Sequence, residues 1–174
     1  LRFLHEQASG HNLMLAGSYL VKEDGKYYNR GFLITPDGKH TFYDKRHLFC
    51  LSAESTTFAH GHRRPPVVAF RGWNVSMIIC YDLRFPVWSR NVDMAADVVL
   101  VPANWPESRC YAWRTLLAAR SIENQVVMVG ADCSGTDEFG MYDGMAMITD
   151  ELGRQVAPPL AVPPEGCPPP TDPG

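Results

Sequence analysis

Cys80 stands at the end of an apolar run, Val75-Ser76-Met77-Ile78-Ile79, and is followed at once by Tyr81-Asp82-Leu83-Arg84-Phe85-Pro86. A strand that delivers a thiol into a sharp turn and then a helix lifts a nucleophile out of the core and aims backbone amides at its substrate. Standing alone, a cysteine in that position is as readily a small buried hydrophobe. Two other residues accompany this one. Lys45 lies within Phe42-Tyr43-Asp44-Lys45-Arg46-His47-Leu48-Phe49, where aromatic neighbours would partly desolvate it. A cation there can lower the pKa of a nearby thiol and hold a developing oxyanion; the ordinary alternative is a solvated surface lysine. Nine residues on, Glu54 in Leu51-Ser52-Ala53-Glu54 offers a carboxylate that can orient the ammonium or move a proton, or else a loop surface charge.

These three residues need elements to carry them. Residues 13–20, 31–35 and 40–43 read as strands separated by turns at Asp24-Gly25 and Pro36-Asp37-Gly38, an antiparallel meander. Residues 67–70 and 75–80 give two more strands joined by an Arg71-Gly72 turn. A short helix over 86–94 follows, then a Val/Leu strand over 97–101 of the kind packed on both faces, and a helix over 111–124. An apolar strand over 126–131 and a last strand over 144–149, closed by a turn at 150–153, complete the pattern. The class is α/β with a mixed sheet and a βαβ unit. One domain is expected over residues 1–155, with a proline-rich tail from 156 that is extended or disordered. The chain opens without methionine and without a capping signal before Arg2-Phe3-Leu4, so a truncated amino end is expected.

Composition narrows the partners. Sixteen basic against nineteen acidic side chains leave a formal charge of -3, and the basic residues form no stripe, so nucleic acid is not expected as a partner. No apolar run approaches the roughly 20 residues that span a bilayer, and residues 1–10 lack the order of a signal peptide, so no membrane partner is expected and the protein is expected in the cytoplasm. Five cysteines at irregular gaps indicate neither a disulfide framework nor a zinc site. Two other chemistries can be written. One is a Cys-His hydrolase in which His47, His60 or His62 serves Cys80 as base. The other is a metal site of His60, His62 and Cys50, for which a polar loop is the plainer reading of Ala59-His60-Gly61-His62-Arg63.

Five ordered segments carry a resemblance. They are Gly25-Lys26-Tyr27-Tyr28-Asn29-Arg30, Tyr43-Asp44-Lys45-Arg46-His47-Leu48-Phe49, Cys80-Tyr81-Asp82-Leu83-Arg84-Phe85-Pro86, Ala103-Asn104-Trp105-Pro106 and Ala119-Arg120-Ser121-Ile122-Glu123-Asn124-Gln125. Over about residues 13–153 the chain resembles the nitrilase superfamily of carbon-nitrogen hydrolases, and within it the bacterial omega-amidase-like branch. The resemblance implies a four-layer α-β-β-α sandwich, incomplete at both ends, that pairs into homodimers or higher homo-oligomers and uses no metal or organic cofactor. It makes Cys80 the nucleophile, Lys45 the catalytic lysine, Glu54 the assisting glutamate and the Tyr81 amide a part of the oxyanion hole. Trp105 would form an aromatic wall or pack in the core; Arg84 would meet a substrate carboxylate or an internal acid. The implied substrate is a small-molecule amide, an omega-amide of a dicarboxylic acid, cleaved through a thioester with release of ammonia. The chain is expected to begin after the place of the family's general-base glutamate, and Glu6 lies too close to the next strand to match it. Around Glu54, Ala53 and Ser55-Thr56-Thr57 also depart from the family's pattern. A non-catalytic homologue acting as a binding module is the alternative.

Overall fold

The computed structural model describes residues 1–156. Its elements in chain order are α1 (Arg2–His11), β1 (Leu15–Glu23), β2 (Lys26–Ile34), β3 (His40–Asp44), the short α2 (Glu54–Thr57), β4 (Val67–Phe70) and β5 (Trp73–Met77). After them come β6 (Val98–Ala103), α3 (Cys110–Asn124), β7 (Val127–Asp132), β8 (Ser134–Asp137), β9 (Gly140–Asp143) and β10 (Met147–Thr149). The proline-rich tail lies outside the described residues from 157 onward.

The first sheet is the meander β1-β2-β3, antiparallel throughout. Asp24 and Gly25 both take positive φ, 49° and 76°, the two-residue hairpin turn whose twist matches its strands. Alternation along β2 then divides its side chains between two neighbours. Phe32 and Ile34 pack with Ala8 of α1, while Leu33 points the other way, into a cluster with Tyr43, Val75, Met77 and Ile79. At Gly31 the two sheets come so close that a Cβ would lie 2.7 Å from the Met77 methyl carbon, which explains the absence of a side chain there.

The second sheet runs β10-β7-β6-β5-β4, with β5, β6 and β7 parallel and both edge strands antiparallel to their neighbours. Strand β6 is packed on both faces: Val98 and Leu100 meet the inter-sheet cluster, and Val99 and Val101 meet α3. Helix α3 is the crossover between β6 and β7 and covers the outer face through Trp113 and Leu117. The order of layers is therefore α1, first sheet, second sheet, α3, the four-layer α-β-β-α sandwich.

Several elements differ from the sequence reading. Helix α1 forms although no side chain caps its start, and it supplies the outer layer on the first sheet. The helix expected over 86–94 is absent. That stretch holds one turn at Phe85, whose carbonyl accepts from Trp88 and Ser89, and a single 3-10 turn at Val92–Met94 in which Asp93 takes φ 56°. Asn91 explains the break. Its side chain donates to Ala96 O at 2.9 Å and accepts from Ala96 N at 2.9 Å, closing a loop where a helix would continue. The strand expected to reach Cys80 ends at Met77, the last strand is only Met147–Thr149, and the β8-β9 hairpin was not anticipated. No helix among the described residues is long and apolar enough to cross a membrane.

Candidate active site

Beyond β5 the chain stays against β6 for one more residue, with Ile78 N donating to Leu100 O at 3.0 Å. It then turns through a 3-10 helix at Cys80–Arg84. Ile79 N donates to Asp82 Oδ2 (3.2 Å) while Asp82 N donates to Ile79 O (3.0 Å), a reciprocal closure around the two residues between them. The first of these, Cys80, is held at φ 45°. A side chain in this left-handed region costs on the order of 1 kcal/mol, and such strain is retained where the surroundings over-determine it.

Asp82 supplies much of that determination. It is fully buried; Oδ1 accepts from His47 N (2.8 Å) and faces His47 Nδ1 (2.8 Å), and Oδ2 accepts from the Tyr43 hydroxyl (2.7 Å). Trp88 Nε1 in turn donates to Tyr43 Oη at 2.8 Å. Burial and the neighbouring Asp82 charge push the Tyr43 phenol well above its usual range, so it stays a donor. One carboxylate thus pins the thiol-bearing turn to the end of β3. From the other side, Arg120 of α3 donates Nε to Leu83 O at 3.0 Å.

Lys45 follows β3 directly and is held by its backbone, donating N–H to Asn29 O and accepting at O from Gly61 N, each 2.9 Å. Its side chain is 3% exposed, and Nζ lies 2.8 Å from each oxygen of Glu54. Glu54 also accepts from Asn29 Nδ2 (3.2 Å) and Phe49 N (2.7 Å). A buried ammonium is tolerated only when a carboxylate answers it with good geometry, and this one does.

Cys80, Lys45, Glu54, Tyr81, Arg84 and Trp105 all line one open cavity of about 700 Å³, a size suited to a small molecule. Trp105 is 4% exposed and walls the cavity, its N–H donating to Asp132 Oδ1 (2.7 Å) and its Nε1 to Arg109 O (2.9 Å). The Cys80 thiol faces Asn104 O at 3.8 Å. Burial pushes that thiol up to about 11; Lys45 and the Asn104 backbone pull against the rise, and Glu54 and Asp132 add to it. The expectation that Lys45 would lower the thiol is met in sign and overruled by desolvation.

The family model for carbon-nitrogen hydrolases matches residues 1–162. The chain belongs to the carbon-nitrogen hydrolase family. Among its relatives are the omega-amidase YafV of Yersinia enterocolitica, 45% identical over 142 residues, 81% of this chain and 55% of that protein, and YafV of Escherichia coli K12, 41% identical over 147 residues, 84% and 57%. The 2-oxoglutaramate amidase of Bacillus subtilis is 33% identical over 158 residues, 89% of this chain and 61% of that one. The chain therefore spans a little over half the length of these relatives. Among solved structures, a carbon-nitrogen hydrolase superfamily protein of Xanthomonas campestris with an arsenic adduct in its active site superposes with a TM-score of 0.84 at 35% identity, covering 90% of this chain and 62% of that one. A variant of an amidase from Nesterenkonia sp. AN1, with acrylamide added to its active-site cysteine, gives 0.80 at 26% identity, covering 87% and 61%.

In this member of the family His47, His60 and His62 lie elsewhere. His47 stacks on Phe85 with ring centres 3.7 Å apart, His60 Nδ1 faces Arg46 O at 2.8 Å, and none of the three lines the cavity. His60, His62 and Cys50 do not converge either, and no cluster of metal-ligating side chains occurs among the described residues. Glu6 sits on α1, 2.9 Å from Arg2, away from the site. Sequence reasoning passed over Asp82, Asn29 and Asn104, although each lies inside a segment that carried the resemblance. The last of those segments proves to be scaffolding: besides Arg120, its Asn124 accepts from Asn91 N (3.0 Å) and donates to Ser89 O (3.2 Å), tying the loop after the turn to α3.

Proposed function

We propose that this carbon-nitrogen hydrolase cleaves the terminal amide of a small dicarboxylic acid monoamide, releasing ammonia by way of a thioester on Cys80. The observation that carries the proposal is the joint placement, on one cavity, of a thiol on a strained turn, a buried lysine held by Glu54, and the backbone of Tyr81, whose N–H is taken up by no protein acceptor among the described residues. Cys80 Sγ attacks the amide carbon and the carbonyl electron pair moves onto oxygen. Lys45 Nζ and the Tyr81 N–H receive that oxyanion. The thiol proton ends on the departing nitrogen, the C–N bond breaks, and ammonia leaves. Water then adds to the thioester, and the free acid and the thiol are regenerated.

Glu54 keeps Lys45 in place, since both of its oxygens are already engaged. No second carboxylate lines the cavity among the described residues. Acid-base help is worth about 10² to 10⁴ in rate, so slow turnover by this chain alone belongs to the proposal. Similarity to omega-amidases and to a 2-oxoglutaramate amidase supports the choice of substrate. A second reading, a non-catalytic binding homologue, is favoured by one fact: the thiol pushed up to about 11. Ammonia release from a panel of omega-amides, with this chain and with Cys80→Ala, separates the two. Release that disappears in the variant supports the amidase; release unchanged by it, or none from either, overturns it.

A further inference from the structure

The cavity carries more positive charge than its chemistry needs. Three cations line it, Lys45, Arg84 and Arg109, against the single carboxylate of Glu54, in a chain whose formal charge is -3. Lys45 and Glu54 answer each other. Arg84 and Arg109 are left over, since neither guanidinium makes an ion pair or a hydrogen bond among the described residues.

Both are nonetheless held. Arg84, at the end of the Cys80–Arg84 turn, lies 5.2 Å over the Trp105 ring, and Arg109 lies 4.9 Å over the Phe49 ring. Their platforms belong to the site: Trp105 Nε1 donates to Arg109 O at 2.9 Å, and Phe49 N donates to Glu54 Oε2 at 2.7 Å. Each guanidinium sits over a ring of the site while its N–H groups have no protein acceptor among the described residues, and such N–H groups are the ones that grip a carboxylate. Both cations line the same cavity. Burial raises the Tyr81 phenol, and Arg84 and Arg109 both pull it back.

We infer that Arg109 acts beside Arg84 as a second reader of charge, so that the cavity selects ligands whose far end is a carboxylate. That such a ligand is a substrate rests on the amidase proposal; the preference for an anion does not. A cleft lined by one sign of charge concentrates the opposite sign and speeds its arrival.

Two alkylating reagents of nearly equal size, iodoacetate and iodoacetamide, differ by that charge. The ratio of their rates at Cys80, divided by the same ratio for N-acetylcysteine, should be about 10 in the wild-type chain. It should fall several-fold in Arg109→Met and be kept in Arg109→Lys. A ratio unchanged in Arg109→Met, or lost equally in Arg109→Lys, overturns the inference. If Cys80 resists both reagents, a thermal-shift titration with glutarate decides: stabilisation seen in the wild type and in Arg109→Lys but not in Arg109→Met supports the inference, and any other pattern overturns it. Neither readout needs turnover, so failure of the amidase proposal and failure of this inference are distinguishable.

Discussion

Asp82 and Asp132 occupy matching places in neighbouring parts of the second sheet, each where a parallel strand hands over to a loop of the site. Their surroundings differ. Asp82 has a hydrogen-bond partner for every direction its oxygens offer, two from the backbone and two from Tyr43 and His47. Asp132 receives two backbone N–H groups, of Trp105 and Cys133, both on Oδ1. Beyond it the β8-β9 hairpin is thinly supported: β8 is exposed along its length, and Asp143 of β9 buries Oδ2 without a hydrogen-bond partner among the described residues. Burial, and secondarily the Asp143 charge, push Asp132 up to about 7 in spite of its two donors. The Cys80 side of the cavity is thus fixed by saturated polar contacts, and the opposite rim is left soft.

Three substitutions test that contrast. The largest effect is expected from Asp82→Ala, which strands the Tyr43 hydroxyl and the amides of His47 and Ile79 in the core; about 3 kcal/mol or more should be lost, read from urea unfolding at equilibrium. A loss below ~1 kcal/mol would show that the turn is held by something else. Asp132→Asn should act through pH. The folded carboxyl, near 7, lies above its ordinary 3.8, so the folded state favours the protonated form and loses stability as pH rises through 7. The amide keeps Oδ1 as acceptor and does not ionise. Its melting temperature should exceed wild type at pH 8 by a few degrees, with the gain fading as pH falls towards 4; an equal gain at both ends would refute the pH argument. The smallest effect belongs to the hairpin tip, where Phe139 is 69% exposed: Phe139→Ser should shift stability by less than about 0.5 kcal/mol.

The same contrast explains what could be read from the chain beforehand. The meander, the βαβ crossover and the strand leading to Cys80 were legible because periodicity and Gly-containing turns act locally. Lys45 and Glu54 were legible as candidates, and so was the option that the carboxylate orients the ammonium; the hold that Asn29 of β2 and the Phe49 amide keep on that carboxylate was not. The role of Asp82 is invisible in its own segment because its partners lie 35 and 39 residues upstream. The expected helix over 86–94 failed for the opposite reason. Its composition permits a helix, and Asn91 and Asn124, one local and one distant, take the backbone elsewhere. The upward shift of the Cys80 thiol was hidden for a third reason, since burial belongs to the assembled layers and to no segment.

At φ 45° the position of Cys80 suits a glycine better than any residue with a Cβ. Shape and reactivity therefore rank the amino acids at this site in different orders. A library selected only for folding would drift towards glycine here and discard the sulfur, while one selected on reaction with an electrophile would keep the cysteine and accept a less stable fold.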